Sequence, residues 1–165
     1  MLVVPIPTVP IPVTWKVLFT EPNPLSAILN PPNSPSLAII VLASAIDLNT
    51  GKKIWEVPFG EYEELKAKGI PITGQTNMGG VTGTAGNLIF ATGTLDKKIR
   101  AFNSKNGKEV WSYQLEYVGS GPPSIYSING EQYIIVASTG SYSLSNAYSV
   151  NFGNLLYCFK INKNE

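Results

Sequence analysis

Residues 45–56 read AIDLNTGKKIWE, and 56 positions later residues 101–112 read AFNSKNGKEVWS. Each copy has an alanine, an apolar residue, Asp or Asn, a turn closed by glycine, and a tryptophan four residues beyond that glycine. Repetition on this scale limits a chain to folds that set one supersecondary unit against the next, because a single unit cannot bury its own apolar face. Residue types assign the roles. Ala45 and Ala101 are small enough for neighbouring sheets to approach, Gly51 and Gly107 supply the positive φ of a tight hairpin, and Trp55 and Trp111 bury a large flat surface between units. Residues 155–161, LLYCFKI, set Phe159 57 positions after Phe102 and read as a third copy, truncated before its glycine and tryptophan.

Short strands and turns fill each period. VTGTAGNLIFATGT reads as a strand, a turn at Ala85, Gly86 and Asn87, and a second strand; KKIRAF and KEVWSY follow, joined by the turn from Ser104 to Gly107. Four strands are therefore expected between about Gly79 and Leu115. SIYSI, a turn at Asn129 and Gly130, QYIIVAS, a loop of about fifteen residues and LLYCFKI form a last group of three strands, its fourth expected to be absent. The one expected helix covers residues 61–68, with Glu64 and Lys68 at the supportive i,i+4 spacing. Four short strands per period of about 56 residues is the pattern of radial β repeats, so the fold class is all-β, a partial β-propeller of antiparallel four-stranded blades.

Proline and glycine divide the chain near residue 44. No glycine precedes Gly51, whereas nine of the 13 prolines lie at or before Pro35. MLVVPIPTVPIPVTW favours extended or polyproline backbone and cannot donate a full hydrogen-bond ladder, so no core is assigned to it. Residues 1–44 are read as a Pro-rich segment that is disordered, translated from another frame or the product of a misplaced start, with a divergent tail as the alternative, and residues 45–165 as the blades. The apolar run LAIIVLASAI is far shorter than the roughly 20 residues of a membrane-spanning helix and is read as a buried strand.

The pattern A-x-D-x-x-T-G-x-x-x-W, met in full by Ala45, Asp47, Thr50, Gly51 and Trp55, resembles the tryptophan-docking motif of quinoprotein dehydrogenases, eight-bladed propellers that use pyrroloquinoline quinone (PQQ). The second copy departs from it at Asn103 and Asn106. GIPITGQTNMGGVTGTAGNLIFATGTLDKKIRAFNSKNGKEVW and PPSIYSINGEQYIIVASTG are similar to the C-terminal part of the membrane-type glucose dehydrogenase branch. The resemblance covers residues 45–161 and makes the chain a C-terminal fragment.

By that resemblance Asn77, Met78, Gly79 and Gly80 face the quinone. Met78 stands where related alcohol dehydrogenases often have a tryptophan that stacks on it. Read without the resemblance, Gly79 and Gly80 only open a strand. Asp96 also matches the family pattern, and as a turn residue capping a hairpin it needs no further role. In the family a bound Ca²⁺ polarises the quinone, an aspartate takes the substrate hydroxyl proton, and hydride passes to the quinone. The resemblance puts the Ca²⁺ ligands and that aspartate upstream of this chain, so no catalytic or metal-binding residue is named here.

Other chemistries fail on inspection. DLNTG imitates the start of an EF-hand loop, but its glycine falls one position early and the closing glutamate is missing. GGVTGTAG leads into a strand where a nucleotide loop would open a helix. Histidine is absent, which removes Ser-His-Asp and Cys-His nucleophiles and zinc-finger spacings; Cys158, the one cysteine, cannot form an internal disulfide and is read as a buried small hydrophobe. A net charge of +1 offers no basic patch, so nucleic acid is not an expected partner.

Three functions follow. The favoured one is a fragment, inactive alone, of a periplasmic dehydrogenase that oxidises an alcohol or aldose sugar and passes electrons to a membrane quinone or cytochrome, with membrane attachment through a part outside this chain. The others are a non-enzymatic propeller scaffold that binds protein, and an inactive gene remnant.

Overall fold

Asp47 and Asn103 open the two repeated hairpins in the same way. Asp47 Oδ1 accepts from the Asn49 amide at 2.9 Å and Asn103 Oδ1 from the Lys105 amide at 2.9 Å. Their carbonyls then accept from Gly51 and Gly107, whose φ values of 69° and 71° are the left-handed ones a glycine adopts at no steric cost. Asn therefore replaces Asp in the second copy without changing the turn, since either side chain makes an Asx turn.

The structure, a computed structural model, describes residues 2–5, 15–20, 42–142 and 151–162. Its strands in chain order are β1 (Leu2–Pro5), β2 (Trp15–Thr20), β3 (Leu42–Asp47), β4 (Lys53–Pro58), β5 (Val81–Gly83), β6 (Leu88–Ala91), β7 (Lys98–Asn103), β8 (Glu109–Gln114), β9 (Ser124–Ile128), β10 (Glu131–Ser138) and β11 (Leu155–Asn162), with a helix α1 (Glu63–Ala67) after β4. They form three sheets, ordered β2-β3-β4, β5-β6-β7-β8 and β1-β11-β10-β9. The repeated stretches are thus the last two strands of two successive sheets, β3-β4 and β7-β8, and LLYCFKI lies in β11, which follows β9 and β10 in the next. The helix is shorter than the expected 61–68, beginning after Tyr62.

The middle sheet is an antiparallel meander whose inner strands β6 and β7 are buried on both faces. Side chains alternate along a strand, so Leu88 and Phe90 face one way and Ile89 and Ala91 the other. Toward the third sheet Leu88, Phe90, Ile99 and Ala101 pack on Ile134, Val136 and Phe159. Toward the first, Ile89, Ala91 and Phe102 pack on Ala43, Ala45, Trp55 and Phe59. This double burial explains why NLIFAT reads as a continuous apolar run.

Within the Pro-rich segment the described residues 2–5 and 15–20 are strands. Trp15–Thr20 pairs antiparallel with β3, and Leu2–Pro5 pairs parallel with β11, Leu2 opposite Phe159. The third sheet so gains the fourth strand that the sequence reading leaves out, in the direction opposite to that of a meander. An edge of unpaired N–H and C=O groups accepts an extended, β-branched segment in either direction, and proline is tolerated at such an edge. The described part of LAIIVLASAI lies in β3, as expected of a strand; residues 37–41 lie outside the described residues.

Candidate cofactor site

The ladder register gathers β5's start, β6's end and β7's start at one end of the middle sheet, where Val81 faces Ala91 and Ala91 faces Arg100. Asn77–Gly80 arrives there just before β5. Asn77 is buried, forms an isolated bridge with Thr94, and its Nδ2 donates to the Thr92 carbonyl at 2.6 Å. The Met78 amide donates to the Gly93 carbonyl at 3.1 Å. Gly79 lies so close to the Thr92–Gly93 backbone that a Cβ on it would sit 2.7 Å from Gly93 Cα, and Gly80 is pressed on Pro122 of the third blade. Gly93, at φ 104°, is the reciprocal half of the crossing, where a Cβ would meet Asn77 Nδ2 at 2.8 Å.

The structure therefore brings the four sequence-predicted residues together and divides their labour. Asn77, Gly79 and Gly80 are taken up in packing two chain segments and two blades, whereas the Met78 side chain is 41% exposed. A thioether on a rigid backbone suits the face of a flat conjugated ring, which sulfur contacts favourably. These residues fit one wall of a site for a planar quinone. None of the four is cationic, so a carboxylated ligand would find its counter-charges elsewhere. Among the described residues no group of three or more Cys, Asp or Glu side chains could hold a metal ion.

Behind this wall lies a buried ion pair that the sequence reading treats only as a turn. Asp96 and Arg100 form a bidentate pair, both side chains 5% exposed, through Oδ2 to Nη2 and Oδ1 to Nη1. Thr94 Oγ1 donates to Asp96 Oδ1 at 2.6 Å, and the Glu61 amide donates to Oδ2 at 2.9 Å. The Asp96 amide in turn donates to Gln75 Oε1 at 2.7 Å, two residues before Asn77. Burial raises the Asp96 pKa, but the hydrogen bonds and charge of Arg100, with Thr94 and the Lys98 amide, outweigh it and hold the carboxyl below its ordinary range. The carboxylate caps the hairpin by accepting from the Lys98 amide, and Asp96 also ties the exit of the first blade to the Gln75–Asn77 approach, its carboxylate accepting from the Glu61 amide and its own amide donating to Gln75. An arginine in the run KIRAF, between Ile99 and Ala101, is the one signal that could have revealed the pair, since a buried guanidinium requires a partner.

A cleft of about 470 Å³ opens beside the pair, its lining including Pro58, Ile70, Pro71, Ile72, Lys98 and Arg100. Each cation there faces a carboxylate: Lys66 meets Glu61 at 3.0 Å, Lys98 meets Glu63 at 3.8 Å, and Arg100 meets Glu109 at 3.2 Å. No helix among the described residues is long and apolar enough to cross a membrane.

Residues 26–134 match the family model of the glucose/ethanol/alcohol dehydrogenase β-propeller domain, which uses PQQ. The chain is 36% identical over 105 residues to a quinate/shikimate dehydrogenase (quinone) of Acinetobacter baylyi, covering 59% of this chain and 13% of that protein. It is 31% identical over 129 residues to quinoprotein glucose dehydrogenase A of Acinetobacter calcoaceticus, covering 74% of this chain and 15% of that protein. Among solved structures, quinohemoprotein alcohol dehydrogenase from Comamonas testosteroni aligns at 24% identity with a TM-score of 0.48, over 67% of this chain and 14% of that one. The chain thus spans about 13–19% of the length of the curated relatives it matches.

Proposed function

Because the chain belongs to the PQQ-dependent dehydrogenase β-propeller family, we propose that it is the portion of such an enzyme that forms one wall of the PQQ site, with Met78 as the residue against the ring. The observation that carries this reading is the contrast within Asn77–Gly80, where three residues are consumed by packing and Met78 alone presents its side chain. Bound at that wall, PQQ supplies a two-electron acceptor for the oxidation of an alcohol, an aldose or a polyol such as quinate. Asn77 holds the Thr92 carbonyl, Gly79 lets the backbones cross, and the Asp96 amide holds the approach by donating to Gln75, so Met78 is positioned before any ligand arrives. Metal ligands and the proton-accepting aspartate come from other blades of the parent enzyme, and electrons leave to a membrane quinone or a cytochrome. The parent works in the periplasm, and the 165-residue chain alone turns over no substrate.

A chimera tests this, with residues 45–161 in place of the matched segment of A. calcoaceticus quinoprotein glucose dehydrogenase A. PQQ-dependent dye reduction is expected to survive the exchange. Met78→Ala should weaken PQQ about tenfold, or roughly 1.4 kcal/mol, and Met78→Asp more, by repelling the ligand's carboxylates. A folded chimera whose PQQ affinity is unmoved by Met78→Asp would remove Met78 from the site.

A further inference from the structure

Asn followed by Gly occurs twice in the chain, at Asn106–Gly107 and at Asn129–Gly130, and the fold treats the two pairs in opposite ways. The pair matters chemically because a glycine nitrogen, with no Cβ beside it, can reach the side-chain carbonyl carbon of the asparagine before it. At the first pair that route is closed. The Gly107 amide donates to the Asn103 carbonyl at 2.9 Å, Asn106 Oδ1 accepts from the Lys108 amide at 3.0 Å, and Trp55 lies over the buried glycine. The second pair supplies the two central residues of the β9–β10 hairpin, between Ile128 and Glu131, with left-handed φ values of 52° and 78°. Asn129 and Gly130 are both exposed, and nothing lies within 4 Å of where a Gly130 Cβ would stand. Among the described residues no hydrogen bond holds the Asn129 side chain or the Gly130 amide. Among the same residues β9 is the end strand of its sheet, so one ladder ties the turn and its opening is a local event.

We infer that Asn129 is a self-modification site, where the Gly130 nitrogen closes a succinimide ring and the chain gains a carboxylate in aspartyl or isoaspartyl form. The Gly130 nitrogen gives up its proton and attacks Asn129 Cγ; the new C–N bond replaces the Cγ–Nδ2 bond, and the side-chain nitrogen leaves as ammonia with that proton. Water then cleaves one of the two ring C–N bonds. Cleavage at Cγ gives aspartate on an unchanged backbone, whereas cleavage at the main-chain carbonyl gives isoaspartate, whose backbone runs through Cγ and is one methylene longer. No reactant other than water enters. Ring closure rotates the peptide plane that follows Asn129, so the reaction runs from the opened end of the hairpin and its rate follows the ease of that opening. The product lands beside Glu131, whose carboxylate pairs with Lys160 of β11 and accepts from the Tyr133 hydroxyl at 2.8 Å. A second negative charge there competes for Lys160, and the isoaspartyl form lengthens the two-residue turn that sets the Ile128–Glu131 register. The inference rests on turn chemistry and not on the cofactor reading, so either can fail alone.

The test incubates the full 165-residue chain in mildly alkaline buffer and then cleaves it after Glu116 and Glu131, which puts Asn129 in a peptide with no other asparagine. Conversion of each asparagine is read by peptide mass and by enzymatic methylation of isoaspartate. In the folded chain Asn129 should convert about tenfold faster than Asn106, or more, and its rate should rise with pH because the attacking nitrogen must lose its proton. In urea the two rates should converge, since the dipeptides are identical and the fold alone separates them. Asn129→Gln should remove the product at that turn and leave the Asn106 rate as it was. A folded chain in which Asn106 converts as fast as Asn129 overturns the inference, as does one in which Asn129 stays intact over a time that converts it in the urea-unfolded chain. A difference between the two sites that persists undiminished in urea would assign it to neighbouring sequence and equally overturn it.

Discussion

Trp55 reaches across from the first blade to lay its indole against Gly107, where a Cβ would sit 2.6 Å from Cε3, and donates its N–H to the Ser104 carbonyl at 2.7 Å. Both contacts are specific to these residue types. Trp55→Phe keeps most of the buried ring and loses the hydrogen bond, so it should cost about 1–2 kcal/mol in urea unfolding. Gly107→Ala adds overpacking to a left-handed φ and should cost about 1–3 kcal/mol. The Asp96–Arg100 pair makes the other prediction at this scale. Asp96→Asn leaves the buried guanidinium with only the more exposed Glu109 as counter-charge and should destabilise by up to about 3 kcal/mol at neutral pH. Its folded pKa lies below the unfolded value near 3.8, so the carboxylate's contribution is whole above that value and is lost as pH falls through the folded one. The gap between wild type and variant should therefore narrow on acidification below about pH 4, as read by unfolding at a series of pH values.

At the scale of elements, β6 and β7 carry the middle blade because both their faces are covered. Phe90 has no exposed surface and meets Trp111 edge-on at 6.4 Å, so Phe90→Ala should cost about 3–5 kcal/mol, seen as a lower urea midpoint. The hairpin elements were legible in sequence because their signals are local: an Asx residue, a glycine at the tight turn, and a strand period of two. The Asn77–Gly80 element was legible only as a glycine pair preceding a strand. Its reason for being glycine is the crossing with Gly93, fourteen residues later, and no local pattern encodes a backbone approach of that kind. The edge strands β1 and β2 were hidden for the opposite reason, since proline-rich composition signals extended backbone but not which open edge will receive it.

For the whole molecule, interfaces between blades are nearest-neighbour contacts. Trp55 acts between the first and second blades and Phe159 between the second and third, on opposite faces of one sheet. Trp55→Phe and Phe159→Ala should therefore add to within about 0.5 kcal/mol in a double-mutant cycle on the full chain. A larger coupling would mean that the middle sheet shifts as a body when either neighbour loosens.

The sequence alone determined the repeat, its strand content, the alanine, glycine and tryptophan roles and the kinship that rests on them, because periodicity and turn chemistry are written in adjacent residues. Only the tertiary structure decided that Met78 is the exposed member of its segment, that Asp96 finds a buried Arg100, and that Leu2–Pro5 pairs parallel with β11. Those properties come from which surfaces meet, and residues distant in sequence acquire them only when the sheets stack.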